Sequence, residues 1–314
     1  TSFTRLLMGS LALRPALLLC GNSRPRVAAT PFPHATGAYG QLPGRDFNPL
    51  DLLLLLRTNG KERPLGILVV EDRLLQGAAR LLLEAIYEED FHAVSYGYRP
   101  KLGAQQAVKD LNVELQFGRY GYVVEADIKG FFDNIDHDWL LRMLEQRVDD
   151  KPFLGLIDTW LKAGILERDG TVIHPQTGTP QGGVISPILA NIYLHYALDH
   201  WFERVVKRHC HGRAHIIRYA DDFVCAFQYQ ADAERFYRTL PKRLGKFSLE
   251  VAPEKTCIQR FSRFHPSRKR RFSFLGFEFY WEADTKGDPR VWRRTARKRL
   301  QTSIKNCKGC STGR

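Results

Sequence analysis

The chain has 314 residues, 44% of them hydrophobic and 26% charged, enough to bury a sizeable core as one large α/β body or a few small subdomains. Its 47 Lys and Arg against 34 Asp and Glu give a net charge of +13 and a pI near 9.6, which is compatible with a polyanionic partner. No run reaches the ~20 apolar residues that span a bilayer, so a membrane partner is not expected.

Residues 1–45 contain five Arg, no acid and several Pro and Gly, and are expected to be a poorly ordered basic lead-in. Within them, residues 6–20 are apolar behind Arg5, like a weak signal or transit segment, but the embedded Arg14 argues against secretion. Leu50 and residues 52–56 form a short apolar run ending at the turn Thr58-Asn59-Gly60. Residues 63–70 read as a strand. Residues 73–87 read as an amphipathic helix with Leu74, Leu75, Ala78, Leu81, Leu82 and Ala85 on its apolar face. Further on, a strand is expected at 122–128 and helices near 136–147 and 153–163. Ser186-Pro187 should open a long helix to about Lys207, with Ser186 as cap and Pro187 at the first helical position.

Ala214–Tyr219 and residues 223–227 read as strands around a tight turn, followed by a helix over 231–247 and strands near 256–261 and 272–280. The order β-α-α-β-β-α-β predicts an α/β (α+β) fold, an antiparallel split β-α-β sheet backed by helices. Basic runs close the chain: residues 260–271 hold six Lys or Arg and no acid, and residues 286–314 hold ten beside Asp288. By itself such a run describes a solvated face. The cysteines Cys20, Cys210, Cys225, Cys257, Cys307 and Cys310 are scattered and are expected to be reduced; only Cys307 and Cys310 form a C-x-x-C pair, half of a zinc site at most.

Three segments carry chemistry. In Arg218-Tyr219-Ala220-Asp221-Asp222-Phe223 two adjacent carboxylates sit at a hairpin tip between apolar strands. Their repulsion calls for a cation or a raised pKa, whereas an ordinary turn explains only one Asp. In Val124-Glu125-Ala126-Asp127-Ile128, alternation places Val123, Glu125 and Asp127 on one face and Val124, Ala126 and Ile128 on the other. Asp127 then ends its strand on a polar edge, where it can meet the hairpin acids. Three carboxylates from adjacent strands can bridge two Mg²⁺ ions, the apparatus of in-line phosphoryl transfer. In Gly178-Thr179-Pro180-Gln181-Gly182-Gly183 the glycines permit close approach by a planar ligand and Gln181 supplies a donor and an acceptor; for Gly-Gly by itself a plain loop before a helix is the better reading.

Together with Arg63-Pro64-Leu65-Gly66-Ile67, Gly97-Tyr98-Arg99-Pro100 and Phe274-Leu275-Gly276-Phe277, these segments resemble the reverse transcriptases of the bacterial group II intron type over roughly residues 58–282. The resemblance implies a right-hand polymerase, with fingers over 46–121, a palm with an inserted fingers segment over 122–282, and a basic start of a truncated thumb or maturase region over 283–314. It implies Asp127, Asp221 and Asp222, with the Ile128 carbonyl, as ligands of two Mg²⁺ ions, for which Mn²⁺ can substitute. It makes Phe132 the aromatic that selects deoxynucleotides, places Gln181 and Gly182 beside the nascent base pair, and sets Lys61, Arg63 and Arg99 among the basic side chains that grip template or triphosphate. Lys255 matches the lysine proposed to protonate the leaving pyrophosphate, and residues 274–277 the hairpin holding the primer end; for Arg99 and Lys255 an ordinary surface cation is the other reading.

The implied activity is RNA-directed DNA synthesis from dNTPs on an RNA template with a DNA or RNA primer, intron RNA being a further partner, in a bacterial cytoplasm or an organelle. Rival readings are an RNA-binding maturase or splicing factor, and a polymerase of phage defence, diversity generation or CRISPR-associated spacer acquisition. Leu68, Val69 and Glu71 depart from the family's usual residues. The family's thumb is matched only by a basic stub at 293–299, so weak processivity and weak intron RNA binding are expected.

Overall fold

The computed structural model describes residues 50–56, 62–163, 165–166, 172–173, 176–179, 182–267, 269–297, 299–301 and 304, with side chains described from Leu68 onward outside 164–175. Lys61, Gln181, Cys20, Cys307 and Cys310 lie outside the described residues, and so do the expectations attached to them and to residues 1–45.

In chain order the elements are β1 (Leu50–Leu56), β2 (Glu62–Ile67), α1 (Val70–Tyr87), α2 (Ala104–Phe117), β3 (Tyr122–Ala126), α3 (His137–Leu144), α4 (Lys151–Lys162), β4 (Ile165–Leu166), β5 (Val172–Ile173), α5 (Ser186–Leu194), β6 (Ala214–Tyr219), β7 (Asp222–Phe227), α6 (Gln230–Gly245), β8 (Cys257–Arg260), β9 (Arg271–Phe274), β10 (Phe277–Ala283) and β11 (Pro289–Thr295). The central sheet has the order β6-β7-β3-β8, antiparallel throughout. A second sheet runs β2-β1-β4-β5, and a third is the meander β9-β10-β11.

Alternation along β3 explains why the central sheet is covered on both sides. Val124 and Ala126 join Phe223, Cys225 and Phe227 in a core shared with α1 and α3 to α6. Val123 joins Val224 and Ala226 in a second core with α2 and the meander, including Phe272, Phe274, Phe279 and Trp281. The result is a layered body with the sheet in the middle. Local chemistry supports the helix starts: Asp136 accepts a hydrogen bond from the Trp139 N–H at 3.0 Å and Asp150 accepts from Phe153 N–H at 3.0 Å, capping α3 and α4. Among the described residues no helix is long and apolar enough to cross a membrane.

Several expectations need correction. The apolar face of α1 is rotated: Ala79, Leu83 and Tyr87 are fully buried, whereas Leu74 and Leu81 stand 63% and 59% exposed. Polar residues took inward places, since Gln76 accepts from the Ile185 N–H and Glu84 pairs with Arg80 at 2.6 Å. The helix from 186 is not one regular α-helix. Ile185 holds the cap position and Ser186 is already helical. After Leu194 two π-turns follow, His195–Asp199 and Phe202–Val206, before a last turn at Lys207–His209. Residues 272–280 are two strands rather than one, turned by Leu275 and Gly276 at positive φ. Helix α2 and strand β11 were not expected; Gln116 joins them by accepting from the Val291 N–H at 2.8 Å.

Candidate active site

The β3–β7 register pairs Ala126 with Phe223, so one further step sets Asp127 opposite Asp222. Beyond its last ladder pair β3 is held against residues 250–252: Ala252 N–H donates to the Asp127 carbonyl and Lys129 N–H to that of Glu250. Ile128 therefore bridges Val251 without bonding it, and its own carbonyl is turned toward the β7 side, where the acids gather. The same segment leads into the short turn Pro253–Lys255, which delivers the Lys255 ammonium onto the Asp127 carboxylate.

Asp127, Asp222 and Lys255 line one groove together with Glu125, Cys257, Ser273, Phe274 and Leu275. Asp221 occupies the turn beside it, between Ala220, whose φ is 56°, and Asp222. The charge balance of this groove is negative. The Asp222 carboxyl is pushed up to about 6, first by desolvation and then by Asp221 and Asp127, with Lys255 opposing. Glu125 is also raised, mainly by burial, and accepts from the Ser273 N–H at 3.1 Å. The Lys255 ammonium is raised, chiefly by its hydrogen bond to Asp127. Crowded carboxylates with one lysine between them are a donor set suited to a hard divalent cation, whose charge relieves that repulsion.

Phe132 lies on the helical turn Phe131–Asp133, edge-on to Phe131 and, at 6.5 Å, to Tyr98. Tyr98 in turn reaches Tyr219 at 6.4 Å, so aromatic rings flank the hairpin. The Gly178 loop is fastened beneath Phe132: Thr179 N–H donates to the Phe132 carbonyl at 2.8 Å and Gly178 N–H to that of Ile135 at 2.7 Å. A Cβ on Gly178 would come within 2.8 Å of two backbone oxygens. Gly182 is exposed at φ 115°, and Arg63 lies on β2.

Arg99 requires a correction. Its guanidinium is only 8% exposed, binds Glu88 with two nitrogens, and donates to the carbonyls of His92 and Ser95 at 2.9 and 2.8 Å. These contacts hold the loop after α1 and take the side chain off the open surface, so it is not an ordinary surface cation.

Sequence reading missed the anchor of the hairpin. Arg218 is fully buried. It pairs with Asp199 at 2.6 Å and donates to Asn191 at 3.1 Å, the Ala220 carbonyl at 2.9 Å and Ser95 Oγ at 2.6 Å. Asn191 closes the ring by donating to the Gly97 carbonyl at 2.6 Å. An Arg inside an otherwise apolar strand is the signal that could have found it. Gly97 lies so close that an added Cβ would stand 2.3 Å from the Ala220 nitrogen. Gly97→Ala is therefore expected to cost about 1–3 kcal/mol and to displace the acid-bearing turn; the melting temperature and catalytic rate should fall together.

The sequence profile of the family described as reverse transcriptase (RNA-dependent DNA polymerase) matches residues 55–279. The chain is 44% identical to the group II intron-encoded protein LtrA of Lactococcus lactis subsp. cremoris over 47% of its own length, and spans 24% of that protein. It is 31% identical to protein YkfC of Escherichia coli K12, over 82% of this chain and 71% of that one. Among solved structures, apo telomerase from Candida tropicalis shares the fold with a TM-score of 0.56 at 12% identity, covering 76% of this chain and 55% of that one.

Proposed function

Because this chain belongs to the reverse transcriptase family, of the group II intron type, and carries the fingers-and-palm fold, we propose that it extends a primer 3′-hydroxyl with dNTPs on an RNA template. The observation that carries this reading is the meeting of Asp127, Asp221 and Asp222 at the end of β3 and the β6–β7 turn, where desolvation first and the neighbouring carboxylates second raise Asp222 against the opposing Lys255. Membership of the family implies dependence on a divalent metal. Asp127, Asp221, Asp222 and the Ile128 carbonyl are the groups that would hold two Mg²⁺ ions, whose chemistry is to acidify the primer hydroxyl and to offset charge on the triphosphate.

The chain's own residues do the rest. Lys255, placed on Asp127 at the rim, is positioned to give a proton to the departing pyrophosphate. The Phe274–Leu275 turn borders the same groove and is our candidate for positioning the primer end. Phe132, steadied by Phe131 and Tyr98, excludes a ribose 2′-hydroxyl. The basic surface binds nucleic-acid backbones in a salt-dependent manner, and base pairing supplies sequence. We assign residues 46–121 to fingers and 122–282 to palm.

Primer extension on poly(rA)/oligo(dT) with Mg²⁺ tests this reading. dNTP-dependent extension that EDTA stops is expected; a folded sample that binds RNA yet adds no nucleotide would favour a splicing-factor role instead. Phe132→Val is expected to reduce discrimination against ribonucleotides by roughly 10- to 100-fold, measured as the ratio of kcat/KM for dTTP and UTP, while dTTP incorporation changes much less.

A further inference from the structure

We propose that His92, His195 and His200 form a binding site for one zinc ion, on the helix side of the hairpin anchor and separate from the carboxylate groove. Each of the three offers an imidazole nitrogen, and the three nitrogens lie within 4.8 Å of one another. His92 Nε2 and His200 Nδ1 are 3.4 Å apart. Two imidazole nitrogens on a tetrahedral zinc, each about 2.05 Å from the metal, also stand about 3.4 Å apart. The separation is long for a hydrogen bond between rings and fits two lone pairs converging on one ion.

His195 supplies the independent observation. It is 3% exposed, and its Nδ1 is buried with no hydrogen-bond partner. A buried ring nitrogen left unpaired is costly, and a missing ion is one of its recognised explanations. Its rings contact both companions, at 5.3 Å from His92 and 5.5 Å from His200. Burial also lowers the pKa of His195 to about 4 and lowers that of His200, so both are neutral and have lone pairs to offer at physiological pH.

The backbone helps to bring the set together. In an α-helix residues five apart are separated by roughly 140° around the axis. Here the His200 N–H bonds the His195 carbonyl in the π-turn His195–Asp199, which brings those two side chains toward one face. His92 comes from the loop after α1, whose carbonyl is held by Arg99. Neutral imidazoles select zinc over Mg²⁺, which prefers oxygen, and the half-buried His92 and His200 leave room for water as fourth ligand. Asp199 closes the π-turn and holds Arg218, so the ion would tie α5 to the α1 loop just behind the hairpin anchor.

The test uses the full chain, stripped with EDTA, dialysed, loaded with ZnCl₂ and desalted. Retention of one zinc per chain is expected, with a rise in melting temperature of roughly 5 °C or more at a hundredfold excess over Kd. His92→Gln and His200→Gln should abolish both effects while melting near the wild-type temperature in EDTA. Asp222→Asn should keep both, which separates this site from the carboxylates. Co²⁺ added to the wild-type chain should give intense tetrahedral d–d bands, a readout independent of whether the variants fold. Failure to retain zinc, retention unchanged in either histidine variant, loss of retention in Asp222→Asn, or absence of the cobalt bands would each overturn the proposal.

Discussion

Asp222→Asn is expected to stop primer extension while making the metal-free chain more stable. The rate should fall by about 10³-fold or more, equivalent to about 4 kcal/mol of transition-state stabilisation, because an amide cannot supply the anionic oxygen that a divalent cation needs. Stability moves the other way. The folded-state carboxyl titrates near 6 rather than at its ordinary 3.8, raised first by desolvation and then by Asp221 and Asp127. A raised acid favours the folded state while protonated, below about pH 4, and that contribution is lost as the pH climbs through about 6. Above that range the wild type carries an ionised Asp222 that the native state disfavours, and the asparagine variant does not.

The difference should be about 1 kcal/mol once solvent screening of an exposed residue is allowed for. In EDTA the two melting temperatures should converge near pH 4 and separate by pH 7, with the variant higher. Adding Mg²⁺ should raise the wild type and leave the variant nearly unmoved. RNA affinity, which depends on basic residues elsewhere, should be almost unchanged. A variant that still extends primers, or that melts below the wild type in EDTA at pH 7, would contradict the placement of Asp222 in a crowded anionic groove.

The acids of this groove were legible because their anomaly is local. Two adjacent carboxylates between apolar strands conflict with burial, and alternation along residues 123–128 is a property of the strand alone; the two core clusters divide Val123 from Val124 accordingly. Features that depend on tertiary partners were not legible. On the inward face of α1 Gln76 reaches the Ile185 N–H, a partner far along the chain that the periodicity does not show. Nothing in the sequence around Arg99 reveals the two carbonyls and Glu88 that surround its guanidinium. The π-turns that gather His195 with His200 leave no compositional mark, and α2 starts behind a glycine with mixed polar residues that weaken its pattern. Arg218 shows the division most clearly. It lies at the start of the segment that carries Asp221 and Asp222, yet its significance lies in Asp199, nineteen residues away, and in Ser95 far upstream.

Breaking that buried ion pair is expected to have a large effect on stability. Arg218 and Asp199 are both completely removed from solvent, joined by two hydrogen bonds at 2.8 and 2.6 Å. Removing the guanidinium leaves Asp199 charged, buried and unpaired, and deprives Asn191, Ser95 and the Ala220 carbonyl of their shared donor. Arg218→Ala is expected to cost about 3–5 kcal/mol, and Arg218→Lys nearly as much, because an ammonium cannot match the planar fork. Arg218→Met combined with Asp199→Leu removes both charges and should recover part of that loss, since two apolar groups of similar length leave no ion stranded. Activity should not follow stability in that pair. Ala220 keeps its positive φ beside Gly97 while Arg218 holds its carbonyl, and the double variant lacks that hold. Denaturant melts and primer extension on the same preparations separate the two effects: restored stability with restored full activity would show that the pair only stabilises the body, whereas restored stability with low activity shows that it also aims the hairpin.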